Sequence, residues 1–438
     1  MALAIKIISK RITTLRSSSP GYVAALASGY ILMSANMLAQ FALTPFYLEH
    51  LGTQQFGVLM LLLNLINFAA IGITWMSGGL VRVIGEFWAL ENLKGLRHAF
   101  AVGKYVFTIY AFFVVVLGIA SWWLLQGQDN DLVLHSVLLA GLYLILNYEA
   151  LPERQAFVGT NRQAMGNYIE FSRVVLFALL TYLLLPCMGD MSAIWIALIA
   201  GILFQRIITG IYWSKQVGGI GWQLFRPEMA PLLKRLTGKQ GAGYMGYGAL
   251  LLILQADSII LGFLGGAEMT GQFVLLWKIP EAISLLLWRI PSTIEPRVIQ
   301  LDAQGKKKQM QSLFRHGRFW YLLLVTAVSL LYMLIGKQLA EFWVGEYAPD
   351  QEWMYTAGGI ALFFNAFSRW PVSFAYALIK LAPLTRVAAI EVAGKLLLTI
   401  SLFPYFNIAS PIIASIFTHV MYIAYGYQNL MKPSTQTK

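Results

Sequence analysis

Stretches of about 20 apolar residues, the length a helix needs to cross the hydrocarbon core of a bilayer, follow one another along the chain. They run over 21–48, 57–82, 102–125, 132–152, 165–187, 191–213, 241–264, 270–296, 318–344, 352–379, 386–404 and 409–430. Short polar segments separate them. The pattern predicts an all-α integral membrane protein with twelve transmembrane helices. Loop charge tests the count independently. The segments "EHLGTQQ", "QGQDND", "MGDM", "GGAEMT", "GEYAPDQ" and "YFNIAS" contain no Lys or Arg. The alternate segments, including "ENLKGLRHA", "PERQAFVGTNRQ" and "GKKKQMQSLFRHGR", are basic. The positive-inside bias places these basic loops and both termini in the cytoplasm. A wrong helix count would scramble this alternation.

The longest polar connection, 214–240, carries Lys215, Arg226, Lys234, Arg235 and Lys239 and falls at the middle of the chain. It predicts an N-terminal six-helix bundle over 21–213, a basic cytoplasmic connector over 214–240, a C-terminal six-helix bundle over 241–430 and a cytoplasmic tail over 431–438. A weak internal repeat supports this division. "LGTQQFGVLMLLLNLINFAAIGITWMSGGLVRVI" at 51–84 resembles "LGGAEMTGQFVLLWKIPEAISLLLWRIPSTIEPRVI" at 264–299. Counted from Gly57 and Gly271, Asn64 and Asn67 correspond to Lys278 and Glu281. Two pseudo-symmetric bundles of this kind place a substrate site in a central cavity near the midplane. The first residues, 1–20, have Ile5, Ile8, Ile12 and Leu15 at helical spacing among four basic residues. They read either as an amphipathic helix on the cytoplasmic face or as a solvated basic tail, and show no cleavable signal.

Composition narrows the class further. Only 12% of the 438 residues are charged and 58% are hydrophobic, against about 25% charged in soluble domains. The net charge of +12 resides in the loops, so it marks topology and not a nucleic-acid surface. The single cysteine, Cys187, excludes a disulfide framework. The five histidines, His50, His98, His135, His316 and His419, show no ligand spacing, so neither a metal site nor another cofactor is expected.

The candidate chemistry lies in charges that the spans should not hold. Arg173, Arg206, Lys278, Arg289, Arg369 and Lys395 lie within spans, as do Glu149, Glu170, Asp257, Glu281, Glu295 and Glu391. A central charge costs about 2.5–3.5 kcal/mol on insertion scales, so six lipid-facing cations would exceed the typical stability of a fold. Arg206 lies near the cytoplasmic end of its span and is expected to snorkel to the headgroups. Glu391 with Lys395, Glu170 with Arg173, and Lys278 with Glu281 are spaced as intrahelical ion pairs. Arg289 and Arg369 have no acid three or four residues away. Pro280, Pro291 and Pro371 leave the carbonyls of Leu276, Leu287 and Phe367 without intrahelical donors. Two of these prolines adjoin an arginine and a tryptophan, in "WRIP" at 288–291 and "RWP" at 369–371. The choice is between packing kinks and bent helices lining a cationic vestibule.

A guanidinium-lined cavity suits a diphosphate or carboxylate, because the planar fork of Arg meets two oxygens at once. Arg289, Arg369, Lys278, Arg173, Lys395, Asn64 and Asn67 are the substrate-binding candidates. Asn36, Gln40, Asn147 and Gln255 serve equally as hydrogen-bonding partners for sugar hydroxyls or as links between helices. Asp257 lacks a basic residue nearby in its span, and with Glu281 and Glu391 is a candidate for ion or proton coupling.

At these residues the chain resembles a known family. "TPFYLEHLGTQQFGVLMLLLNLINFAAIG" is similar to the Leu-Gly-x3-Phe/Tyr-Gly signature that follows the first helix of polysaccharide flippases. "QADSIILGFLGGAEMTGQFVLLWKIPEAI" is similar to their Asp-x-Ile-Ile-Leu-Gly segment. These are the O-antigen and capsule repeat-unit translocases of the multidrug/oligosaccharidyl-lipid/polysaccharide exporter superfamily. The resemblance implies a bundle alternating between inward and outward states in a bacterial inner membrane. It implies a cargo of undecaprenyl-pyrophosphate-linked oligosaccharide, a coupling cation or proton, and polysaccharide assembly enzymes as partners. Twelve helices favour this branch over the usually fourteen-helix peptidoglycan-precursor relatives.

Three rivals differ in class. An exporter of drugs or organic cations from the same superfamily should have a predominantly acidic cavity, and Asp257 and Glu281 keep that reading open. A major-facilitator transporter should carry Gly-x3-Asp-Arg-x-Gly-Arg-Arg after helix two, where this chain has "VRVIGEFWALENLKGLRHA". A polymerase or ligase needs a large outer loop with Arg or His, whereas the outer loops are about seven residues and lack Lys and Arg.

Overall fold

A computed structural model describes residues 20–125, 131–218, 229–237, 239–378 and 381–430. The expected N-terminal helix, most of the basic connector and the C-terminal tail lie outside the described residues. Within them the protein is helical, with no strand. The helices are α1 Pro20–Ala89, α2 Leu93–Leu125, α3 Asp131–Glu149, α4 Leu151–Gly159, α5 Gln163–Met188, α6 Ser192–Val217 and α7 Ala230–Thr237. They continue as α8 Lys239–Ala303, α9 Lys307–Val344, α10 Glu352–Ala377, α11 Leu381–Phe406 and α12 Ser410–Leu430.

Two of these are far too long for a single crossing. α1 has 70 residues and α8 has 65. Each is broken by a glycine in the left-handed φ region, Gly52 (φ 69°, ψ 174°) and Gly266 (φ 84°, ψ 178°). Only glycine takes up this conformation without a side-chain clash. Counting each as two crossings and α3 with α4 as one, and leaving out α7, which at 8 residues is too short to cross, gives the twelve transmembrane helices that hydropathy predicts. The segment "PERQAFVGT", expected as loop, is instead the helix α4, entered through Pro152 near its first turn.

The internal repeat extends beyond the matched stretch. Gly52 and Gly266 stand five residues before Gly57 and Gly271. α5 and α11 are both 26 residues long, and each has a proline two residues before its end, Pro186 and Pro404. The same skeleton is therefore laid down twice.

The chain forms two compact units, Met1–His50 with Ile73–Tyr244, and Leu51–Gly72 with Met245–Lys438. Residues 51–72, from the first half of the sequence, pack within the second unit. The physical reason is a glycine seam. A Cβ on Gly57 would lie 1.8 Å from the Ala267 carbonyl oxygen, and one on Gly271 would lie 3.2 Å from the Gly57 Cα. Two backbones approach here as only side-chain-free positions allow.

Each unit has its own core. Trp195, Trp213, Phe100, Phe107 and Phe157 are buried in the first, and Trp370, Tyr332, Tyr355 and Phe56 in the second. Outward-facing positions are also apolar, with Phe342 91% and Leu334 75% exposed. Such a surface is a liability in water and the natural exterior in lipid. In the first unit, Glu86 near the end of α1 accepts from Arg82 at 3.1 Å and from Arg235 of α7. These two guanidinium groups, Arg235 foremost, hold its carboxyl below the usual range, so α7 stays tethered at neutral pH and loses that tether on strong acidification.

Alanine at position 57 should destabilise the protein by about 1–3 kcal/mol, the usual cost of overpacking. Gly118→Ala, where a Cβ meets nothing within 4 Å, should leave the Tm in detergent unchanged or raise it. Equal Tm values for the two variants would refute the seam.

Candidate functional site

Both units hide charges among apolar side chains, and each cluster keeps buried polar atoms without a hydrogen-bond partner, Arg154 Nε and Gln205 Oε1 among them in the first. In the first unit, α4 carries Glu153, 3% exposed, into the core. Its Oε1 lies 2.7 Å from Lys104 Nζ on α2, and its Oε2 accepts from Thr209 Oγ1 on α6 at 2.7 Å. Trp213 Nε1 donates to the Glu153 carbonyl at 3.1 Å. Arg206 Nη2 reaches Glu149 Oε1 at 2.7 Å. The guanidinium expected to snorkel thus also has a carboxylate partner on a neighbouring helix. Arg154, expected in a cytoplasmic loop, donates to the carbonyl and the side-chain oxygen of Asn147, both at 2.7 Å. Arg173 Nε donates to Glu170 Oε1 at 2.9 Å, while Gln205 donates to the other Glu170 oxygen. Each of these carboxylates thus receives a cation, and Glu153 and Glu170 also receive a neutral donor. That is the arrangement of a buried charge held for structure.

The second unit gathers charge differently. Asp257, 3% exposed, comes from the first part of α8. Glu391 and Lys395 are one turn apart on α11, so they share a face. Lys395 Nζ donates to Asp257 Oδ2 at 2.6 Å, with both side chains almost wholly buried. Glu391 Oε1 faces His419 Nδ1 of α12 at 3.4 Å, and the same nitrogen lies 2.7 Å from the Ser415 carbonyl. Several polar atoms remain unmatched among the described residues. Among them are Asp257 Oδ1, Asn365 Oδ1 one turn before Arg369 on α10, and Thr399 Oγ1 one turn after Lys395 on α11. A buried polar atom without a protein partner is met by water or an ion or is left at a cost in stability.

Beside this cluster the two Arg/Trp/Pro motifs supply one joint feature. The Arg369 guanidinium of "RWP" lies 3.6 Å from the centroid of the Trp288 ring of "WRIP". Trp370 is buried and donates from Nε1 to the Phe314 carbonyl at 3.2 Å. Tyr321, stacked on Trp370, donates its hydroxyl hydrogen to the Ala366 carbonyl at 2.9 Å. Its oxygen lies 3.4 Å from the Leu287 carbonyl, the group that Pro291 deprives of its helical donor. The single hydroxyl hydrogen serves the Ala366 carbonyl, so Tyr321 adjoins the Leu287 oxygen without satisfying it.

Of the expected site residues, the structure joins Asp257 to Lys395 and gives Glu391 the partner His419. Lys278 and Glu281 pair with each other at 3.2 Å and are each about a quarter exposed. Arg289 lies on an exposed face of α8, with Asn64 partly exposed and Asn67 exposed. Arg173 belongs to the first unit's cluster. Sequence reasoning passes over His419, Lys104, Glu153 and Arg154 as site residues. A lone histidine in an apolar span is the available signal for His419, and a lysine near the start of the third span is the signal for Lys104. Among the described residues no three His, Cys, Asp or Glu side chains cluster as metal ligands.

No family model matches the sequence, and no curated protein matches it. Solved structures do match. A multidrug resistance MATE family transporter of the MOP superfamily, in an inward-facing conformation, superimposes with a TM-score of 0.64 at 12% identity over 93% of this chain and 98% of that one. A point mutant of the Vibrio cholerae MATE transporter VcmN gives 0.60 at 14% identity over 95% and 98%. A MOP superfamily transporter from Pyrococcus furiosus, described by the reverse polarity of its binding pocket, gives 0.58 at 10% identity over 94% and 95%. The chain has the fold of these membrane transporters.

Removing Lys104 should leave Glu153 as an uncompensated buried charge, so Lys104→Met should cost about 3–5 kcal/mol. The double variant Lys104→Met/Glu153→Leu should recover most of that loss. Thermal unfolding in detergent measures both, and additive losses would show that the pair is not coupled.

Proposed function

We propose that the protein carries undecaprenyl-pyrophosphate-linked oligosaccharide repeat units from the cytoplasmic to the outer leaflet of a bacterial inner membrane by alternating access. The observation that carries the reading is the guanidinium of Arg369 stacked on Trp288. Stacking holds the guanidinium plane against the ring, and a guanidinium carries paired donors whose geometry matches two oxygens of a diphosphate. Arg289 on the neighbouring stretch of α8 supplies a second fork, and Lys278 adds charge. Asn64 and Asn67 belong to the same unit and offer amide groups to sugar hydroxyls. A sugar diphosphate cannot enter hydrocarbon without such shielding, while its lipid tail can remain among the lipids. The sequence resemblance to polysaccharide flippases points the same way. The outer loops are too short to hold an enzyme's catalytic apparatus, so translocation and not chemistry is the activity. Arg173 and Lys395, engaged with carboxylates, serve the fold and the ion cycle rather than the cargo.

A second reading, an ion-coupled exporter of organic solutes, is favoured by the buried carboxylates Asp257 and Glu391 and by the multidrug transporters among the fold's neighbours. Proteoliposomes loaded with a fluorescent lipid-pyrophosphate sugar separate the two. Arg369→Ala should slow translocation about 10- to 100-fold, the loss of a charge-assisted hydrogen-bonding group. Arg369→Lys, which keeps charge but not the fork, should recover only part. Transport of an organic-cation dye with no movement of the lipid-linked sugar would establish the exporter instead.

A further inference from the structure

We infer that Tyr321 is a positioning residue for the stacked Arg369–Trp288 pair: its one hydroxyl hydrogen alternates between the Ala366 carbonyl of α10 and the Leu287 carbonyl of α8. This rests on the reading of that pair as the cargo site, and names the residue that sets its spacing.

The two carbonyls differ in need. In α10, helical from Glu352 to Ala377, the Ala366 carbonyl has the Trp370 N–H as its donor one turn on. In α8 the residue one turn beyond Leu287 is Pro291, which has no N–H. Among the described residues, the Tyr321 hydroxyl is the donor group beside the Leu287 oxygen. Leu287 is 5%, Tyr321 2% and Ala366 0% exposed, so a missing donor here is costly. Yet the hydroxyl lies 2.9 Å from the Ala366 oxygen and 3.4 Å from that of Leu287. A hydroxyl has one hydrogen, and it is committed to the carbonyl that already has a donor. An approach of α8 by half an ångström equalises the two distances. The hydrogen then turns to Leu287 by rotation about the ring C–O bond, and Ala366 keeps its helical donor.

The ring itself is clamped. Trp370 stacks on Tyr321 with centroids 5.3 Å apart and donates from Nε1 to the Phe314 carbonyl at 3.2 Å. Its six-membered ring fills the place of a side chain at Gly317, where a Cβ would lie 2.4 Å from it. Trp370 thus locks α10 to α9, and α8 is the helix left to move against them. Leu287 directly precedes Trp288, and Ala366 lies three residues before Arg369. The carbonyl that takes the hydrogen therefore sets how the Trp288 ring lies under the Arg369 guanidinium, here 3.6 Å from its centroid. Arg289, next to Trp288 in the chain, moves with it.

A double-mutant cycle on the purified full chain in detergent, with no cargo present, tests this. Tyr321→Phe removes the hydroxyl and keeps the stacked ring, while Pro291→Ala gives Leu287 a helical N–H donor. Tyr321→Phe should lower the Tm of the wild type, and in the Pro291→Ala background it should cost less than about half as much. A hydroxyl that serves only Ala366 would cost the same in both backgrounds. A loss of half or more therefore overturns the inference, as does a wild-type Tm that Tyr321→Phe leaves unchanged. Should Pro291→Ala fail to fold, Pro291→Gly restores the same N–H and takes its place. In proteoliposomes, Tyr321→Phe should slow translocation of the lipid-pyrophosphate sugar about 3- to 10-fold, the scale of one hydrogen bond. The half-saturating cargo concentration should stay the same. Unchanged turnover, or a rise in that concentration alone, overturns the positioning role. Coupling in the cycle without transport of the sugar leaves the Tyr321 exchange standing and removes the cargo reading; transport with an additive cycle does the reverse.

Discussion

A charge or an unpaired carbonyl surrounded by hydrocarbon has no water to fall back on, and the interior of this protein is organised around that constraint. Glu153 meets Lys104 and Thr209, Asp257 meets Lys395, and Glu149 meets Arg206. Each partner comes from a different helix. The polar contacts therefore fix which helices are neighbours, while the apolar side chains, satisfied equally by lipid or by one another, fill the space between. Helix association in a membrane gains little from hydrophobicity itself, and close backbone approach at Gly57 and Gly271 does part of the same work.

The duplicated skeleton has diverged in its chemistry. Both halves repeat the kinking glycine, and both have a 26-residue helix with a proline at the same place. The first unit then completes the hydrogen bonding of its buried carboxylates. The second sets Asp257 against Lys395 beside an arginine stacked on tryptophan, and unmatched buried polar atoms occur in both units, at Arg154 and Gln205 of the first and at Asp257, Asn365 and Thr399 of the second. A buried network with open valences costs stability, and such cost is tolerated where a site has to bind and release something.

Much of the architecture is legible without coordinates. Spans of about 20 apolar residues separated by loops of alternating charge have one economical solution. The structure bears out the twelve-helix fold and carries the internal repeat from Asn64 and Lys278 further along both halves. The site is legible in part. The pairs Glu170–Arg173 and Lys278–Glu281 lie on single helices, where spacing alone brings side chains together. Asp257 stands out as a lone acid, yet its partner is 138 residues away. Arg206 resembles a snorkelling residue because depth along a helix is visible in sequence and the neighbour carrying Glu149 is not. Arg154 reads as part of a loop because Pro152 and nearby polar residues resemble a turn, although the backbone there is helical.

Hydropathy and loop charge, read along the chain, suffice to place the membrane crossings and the basic loops, and to show that several charges and prolines sit too deep to be incidental. These are one-dimensional properties, dictated by the thickness of the hydrocarbon layer and the rise of an α-helix. Which charge answers which is a matter of three-dimensional packing. That Lys395 serves Asp257, that His419 faces Glu391 and that Arg369 lies on Trp288 depend on how α8, α10, α11 and α12 rotate against one another. Helix rotation is governed by packing over many residues at once, and no local spacing along the chain encodes it.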